Sequence, residues 1–211
     1  MDNIILIGAG GHSKVVQDIV LTTPNVKLSA ILDDAFTHTI KKDDLIFANT
    51  SYINEINQEE FLFCIAIGNN HIRKKIFERL SIPLKQYAKL IHPSAVVSCS
   101  AKIGNGTVIM PNAVINAGTV VGNHCIVNTC SVIEHDNMIG DYVHVSPNAT
   151  LSGTVTVQEG THIGAGATVI QGKSIGMWAK IGAGAAVIDH TDSYVTTVGV
   201  PAVNKKAIKK G

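Results

Sequence analysis

Two histidines nine residues apart carry the most suggestive chemistry in this chain: His135, inside the run Glu134-His135-Asp136, and His144. An imidazole changes charge near neutrality, so it suits removal of a proton from an amine or a hydroxyl. A neighbouring carboxylate can hold the ring in one tautomer and stabilise its cation, the part an acid plays in catalytic triads. Asp136 fits that part better than Glu134. The bland alternative is a surface histidine among turn charges.

A second set of residues suits phosphate. The aliphatic run Ile4–Ile7 ends in Gly8-Ala9-Gly10-Gly11-His12-Ser13, after which Val15, Val16, Ile19 and Val20 recur at helical spacing through Leu21. A glycine turn at a helix N-terminus offers free N–H groups and the positive end of the helix dipole. Gly10, Gly11 and His12 are therefore candidates to cradle a diphosphate. Lys27–Leu32 reads as a second strand closed by Asp33-Asp34, acids placed to accept ribose hydroxyls or to meet a base. Phe61–Ile67 reads as a third strand, and Gly68-Asn69 then open a helix over His71–Leu80 beside the same crevice. Arg73 and Lys74 on that helix read equally as solvated residues or as ligands. The glycine match is incomplete, because Ser13 stands where a dinucleotide motif has its third glycine, and a tight turn without ligand is the alternative. The unit is also short for a full dinucleotide domain. A nucleotide-sugar is the better expectation.

These segments need elements to hold them. Strand, glycine turn, helix and acid-terminated strand begin a doubly wound α/β unit, with a weaker strand near Leu45–Ala48 and one helical turn between Ala35 and Glu60. From Ile91 to Val187 every sixth residue is Ile, Val or Leu, without a gap. Small residues recur four places after that beat, as at Ala95, Ala113 and Ala149, and glycine often follows it, as at Gly104 and Gly140. This is the pattern of a parallel β-helix whose beat residues stack inward about 4.8 Å apart, coil on coil. Three parts result: an α/β domain over 1–88, a β-helix over 89–190 and a C-terminal cap over 191–211.

Composition narrows the functions. Net charge is +1 and charged residues make up 16%, which gives no electrostatic footprint for nucleic acid. No apolar run approaches the ~20 residues of a membrane span, and MDNIILIG lacks a basic n-region, so a cytoplasmic protein is expected. Cys64, Cys99, Cys125 and Cys130 show no CxxC spacing and read as free thiols.

The chain resembles the hexapeptide-repeat acyltransferases, and more narrowly the bacterial sugar O/N-acyltransferases of the NeuD/PglD type. The resemblance rests on IGAGGHSKVV, ILDD at Ile31–Asp34, CIAIGNNHIRKKI at Cys64–Ile76, LIHPSA at Leu90–Ala95, VIEHDNMIGDYVHVSPNATLSG and VGVPA at Val198–Ala202. It implies a Rossmann-like N-terminal domain followed by a left-handed, three-sided β-helix, assembled as a homotrimer. It implies an acetyl group moved from acetyl-CoA to the amino group of a nucleotide-linked amino-sugar, a UDP-4-amino-sugar being favoured, in a ternary complex and without a metal. His135 then falls at the catalytic base with Asp136 beside it. His144 matches a histidine that contacts the donor's acetyl group, Gly153 a glycine whose N–H meets the donor, and Asn128 a residue that orients the acceptor. The donor would run past Gly164, Gly166, Gly182 and Ala183 toward Gly199-Val200-Pro201-Ala202 at its adenine end. Members often carry a basic residue directly after the Pro-Ala pair; here Val203 intervenes, and Lys205 and Lys206 follow two places later.

Nine residues is half of a three-hexapeptide coil, so His135 and His144 should leave the solenoid on different sides and meet only between protomers. A sugar O-acetyltransferase, a metal-dependent hydratase on the same solenoid and a non-catalytic sugar-binding scaffold are the alternatives. The hydratase needs an H-x4-H pair, which the spacing of His124, His135 and His144 does not supply.

Overall fold

The computed structural model describes residues 1–207, with side chains through Lys205; the side chains of Lys206 and Ala207 and residues 208–211 lie outside the described residues. The α/β part runs β1 (Asp2–Ile7), α1 (Gly11–Thr22), β2 (Val26–Leu32), β3 (Ile40–Lys42), β4 (Leu45–Ala48), β5 (Phe61–Ile65) and α2 (Asn70–Leu80). Strand order is β3-β4-β2-β1-β5, parallel except for β3. Alternation along β1 covers both sheet faces. Ile4 and Leu6 pack with Val16 and Ile19 of α1 on one side, whereas Ile5 and Ile7 pack with Phe63, Ile76 and Phe77 on the other. The order reverses between β1 and β5, which places the crevice at their C-terminal ends.

The expected elements are present with shifted ends. α2 begins one residue early because the Asn69 side chain caps it, accepting from the Ile72 N–H at 3.1 Å. β5 stops at Ile65, and Ile67 instead packs on Gly8, whose φ of 112° and 2.7 Å clearance to Ile67 Cγ1 exclude a side chain. β3 was not anticipated; its Ile40-Lys41-Lys42 is wholly exposed and shows no apolar alternation. In place of one helical turn there are two 3₁₀ segments, Thr50–Glu55 and Gln58–Glu60.

From Leu90 the chain forms two-residue strands that pair in parallel with the strand 18 residues on, as Val114 with Val132, Val120 with Met138 and Ile126 with His144. They build three flat faces. Beat residues from Ile109 to Val187 form one buried aliphatic column. Each corner needs a left-handed residue: Asn112, Cys130 and Asn148 on one edge, Asp136 and Thr154 on the second, His124, Tyr142, Trp178 and Tyr194 on the third, all with φ of 51–61°. Asparagine and aspartate tolerate this region; the aromatic edge is stabilised by what packs against it.

One face is covered by the α/β domain. Leu90, Val108 and Met110 join the α1 side of its core, while Arg73 and Asn70 of α2 dock on the aromatic edge. The other two faces expose apolar side chains, Val96 at 62% and Met138 at 52%. The C-terminal segment closes the last coil, with Val195–Val198 parallel to Lys180–Ile181 and Val203–Ala207 antiparallel to it. Among the described residues no helix is long and apolar enough to cross a membrane.

Candidate functional site

His135 sits at the corner after the strand Val132–Ile133, 58% exposed through its side chain, with Nδ1 2.9 Å from Asp136 Oδ2. The corner is locked beneath it. The Asn137 amide is buried and donates to the carbonyls of Glu134, His135 and Ser152, and the Thr154 N–H donates to the His135 carbonyl at 2.9 Å. One coil above stands Gly153, where a Cβ would lie 2.5 Å from His135 Nε2; one coil below stands Gly118, where a Cβ would meet Asp136 Oδ1 at 2.4 Å. The two glycines thus leave a slot for the imidazole and its carboxylate. With Nδ1–H donated to Asp136, Nε2 is left as the proton acceptor.

His144 is in the opposite situation. It is 9% exposed on the face covered by the α/β domain, with Nδ1 3.3 Å from the Gly68 carbonyl and Nε2 3.0 Å from Asn128 Nδ2. Its ring stacks on His162 at 4.8 Å and lies 6.4 Å from His12. Burial, then the neighbouring His162, Arg73 and His12, push its pKa down to about 3, so the ring is neutral. His12 is likewise pushed to about 4 by burial and by Arg73, and its Nε2 is buried without a hydrogen-bond partner. The structure therefore brings His12, Gly68, Asn128 and His144 together, and leaves His135 and Asp136 on another corner.

At the glycine turn the expectations separate. Gly10 and Gly11 are exposed, with negative or extended geometry and open space where a Cβ would stand. Neither the turn nor packing requires glycine there. Asp33 braces this turn instead of standing free: Oδ2 accepts from the Ala9 N–H at 2.8 Å and Oδ1 from the Ala35 N–H at 3.0 Å. Asp34 accepts from Arg79 at 2.7 Å and from the Thr50 hydroxyl, and the Arg79 hydrogen bond holds its carboxyl below the usual range. Asp34 and Arg79 edge an open cleft of about 340 Å³ together with Asn49 and Ser51. Asn69 is spent as the α2 cap.

The glycines of the expected donor wall also divide. A Cβ on Gly164 would come within 2.6 Å of Ala183 N, and one on Gly182 within 2.7 Å of Val198 Cγ1, so both are demanded by coil-to-coil packing. Gly166 and Gly184, at positive φ with open space beside them, are the residues that keep the outer wall low. Ala183, Pro201 and Lys205 are exposed. Cys125 is buried, its thiol pushed up to about 12 by desolvation, and Cys130 is an exposed corner residue.

Arg73 overturns the choice between solvated residue and ligand. It is 1% exposed, and its guanidinium donates to five oxygens: the carbonyls of Ile67, Gly68, His124 and Tyr142 and the Asn70 side chain. Asn70 in turn donates to the Gly160 and Thr161 carbonyls, and Lys74 pairs with Glu159 at 2.6 Å. These residues join the two domains. The only sequence signal was their position on a helix that had to cover a solenoid edge. Arg79, missed altogether, gave no signal beyond a lone charge near a helix end. Among the described residues, no group of His, Cys, Asp and Glu is arranged to hold a metal ion.

A crevice-bearing α/β domain clamped to a hexapeptide solenoid, with a His-Asp pair on one corner, defines a transferase architecture. Residues 3–80 match the PglD N-terminal domain model, and residues 100–135 the bacterial transferase hexapeptide model. UDP-N-acetylbacillosamine N-acetyltransferase of Bacillus subtilis (strain 168) is 47% identical over 112 residues, a match spanning 52% of this chain and 52% of that relative, about half of its length. The acetyltransferase domain of PglB from Neisseria gonorrhoeae FA1090, solved with acetyl coenzyme A, superposes with a TM-score of 0.85 at 36% identity, covering 96% of this chain and 98% of that one. PerB from Caulobacter crescentus, solved with CoA and GDP-perosamine, gives a TM-score of 0.87 at 31% identity, with 98% of both chains covered. The chain belongs to the hexapeptide-repeat sugar acyltransferases of the NeuD/PglD type.

Proposed function

We propose that this protein transfers the acetyl group of acetyl-CoA to the amino group of a nucleotide-linked amino-sugar, with a UDP-4-amino-sugar as the favoured acceptor. The observation that carries the reading is His135, with Nδ1 bound to Asp136 at 2.9 Å and Nε2 left free over Gly153. Support comes from relatives described with acetyl-CoA, with CoA and GDP-perosamine, or as acting on a UDP-linked sugar.

The amine attacks the thioester carbonyl while His135 Nε2 takes its proton, and Asp136 stabilises the resulting imidazolium. The oxyanion is held by the Gly153 N–H and by the polar pair Asn128–His144. Collapse breaks the C–S bond, and the proton on His135 passes to the coenzyme A thiolate, leaving amide and free thiol. Most of the acceleration is positioning. The nucleotide-sugar lies along Gly10, Gly11, His12, Gly68 and Asn69, with its ribose or base toward Asp33 and Asp34. The donor follows Gly164, Gly182 and Ala183 toward Pro201.

His135 and the Asn128–His144 pair leave different edges of one solenoid, so the working site lies between protomers of a homotrimer. The exposed apolar faces around Val96 and Met138 supply surface for that association. Four free cysteines suit a cytoplasmic setting.

The test is release of free thiol from acetyl-CoA against a panel of UDP-, GDP- and dTDP-linked amino-sugars and their hydroxyl counterparts. Thiol release with a nucleotide amino-sugar, lost at least a hundredfold in a folded His135→Ala variant, is the expected result. Release only with the hydroxyl sugars, or none with any, overturns the reading.

A further inference from the structure

The hydrogen bonds around His144 fix which atom can meet the acetyl group. The Thr129 N–H donates to Asn128 Oδ1 at 2.8 Å, so the other end of that amide, Nδ2, is the one facing His144 Nε2 at 3.0 Å. An amide nitrogen only donates, which makes His144 Nε2 an acceptor and puts the ring proton on Nδ1. Nδ1 faces the Gly68 carbonyl at 3.3 Å, and a carbonyl only accepts. The Gly68 carbonyl is itself held by Arg73 Nη1 at 3.3 Å, on a side chain anchored to the solenoid carbonyls of His124 and Tyr142. Every step of this chain has one possible direction.

We infer that His144 is a positioning residue, and that the group donating to the acetyl carbonyl is the second N–H of the half-exposed Asn128 amide. The inference rests on the proposed acetyl transfer and reassigns one contact within it. In this tautomer His144 Nε2 has no proton to give an oxyanion. Asn128 Nδ2 carries two, one used on His144 and one directed away from it at the solenoid corner. The relay also crosses the domain boundary. Gly68 belongs to the loop proposed to hold the nucleotide-sugar, so a shift of that loop reaches the acetyl contact through two hydrogen bonds. Acceptor binding and donor alignment are thereby connected within one chain.

Nitrogen-15 NMR of the histidine rings at neutral pH reads the tautomer directly and needs no turnover. The expected result is a protonated Nδ1 and a bare Nε2 at His144; a protonated Nε2 overturns the inference. Kinetics supply the second arm. Asn128→Ala should lower kcat about 100-fold, at the low end of the range for loss of one oxyanion donor, with a small change in KM for acetyl-CoA. His144→Leu should lose about thirtyfold, whereas His144→Gln, whose amide can bridge Gly68 and Asn128, should lose only about threefold. The double variant Asn128→Ala/His144→Leu should be no worse than Asn128→Ala alone, because both act through one donor. Multiplying losses in the double variant would show an independent His144 contact and overturn the proposal. Wild-type protein that releases no thiol, with the Nδ1–H tautomer intact, would sink the acetyl-transfer reading and leave the relay standing as a structural fact.

Discussion

His135 and His144 stand nine residues apart on one scaffold, yet their surroundings are opposed. His135 is exposed, paired with a carboxylate and free at Nε2. His144 is buried under the α/β domain, committed at both nitrogens and held neutral by burial, by the neighbouring histidines and by Arg73. The first has the surroundings of the base proposed above, with a carboxylate on one ring nitrogen and the other open. The second is built to stay uncharged and directional. A repeat with uniform backbone can therefore host both a base and a fixed dipole, because its edges differ in what covers them.

Four perturbations probe that contrast, beginning with the covered side. Arg73→Met removes the donors from five oxygens between the domains and should cost roughly 3 kcal/mol or more. Urea unfolding should show it, with the α/β domain released before the solenoid.

Acid should act on the same region. His12, His124 and His144 have folded pKa values of about 4, 4 and 3 against 6.5 unfolded, all lowered first by burial. A depressed histidine pKa means the unfolded chain binds more protons. Stability is complete above pH 6.5 and falls as pH drops from there toward 4, by about 1.4 kcal/mol per pH unit for each ring. Midpoints measured between pH 7 and 5 should steepen accordingly, and His124→Phe should make the slope one proton shallower.

On the exposed side, Gly153→Ala puts a methyl 2.5 Å from His135 Nε2 and must swing the ring out of its slot. Turnover should fall up to about 100-fold, the scale of a misplaced catalytic group, while the melting temperature barely moves. Cys130→Ser, at the corner between the two regions, should leave turnover within about twofold, since direct transfer uses no thiol nucleophile.

The repeat was legible because its physics is local. An inward column needs an aliphatic side chain at every sixth position, and that demand survives the charged run Glu134-His135-Asp136 unbroken. The His-Asp pair was legible too, since adjacent residues at one corner stay adjacent when folded. The roles of Asp33, Asp34 and Arg73 were not. Their partners are remote in sequence: Ala9 and Arg79 come near through strand pairing and helix packing inside the α/β domain, and the carbonyls of His124 and Tyr142 through the docking of α2 on the solenoid. The donor-wall glycines answer to a second demand as well. Gly164 and Gly182 are small because the next coil passes close, a requirement that a pattern of glycines cannot separate from room for a ligand.

The contrast between the two histidines is tested most directly by thiol release from acetyl-CoA with a nucleotide amino-sugar, comparing folded His135→Ala and His144→Gln side by side. The account predicts a loss of at least a hundredfold for the first and about threefold for the second. Comparable losses in both, or the larger loss at His144, would contradict it.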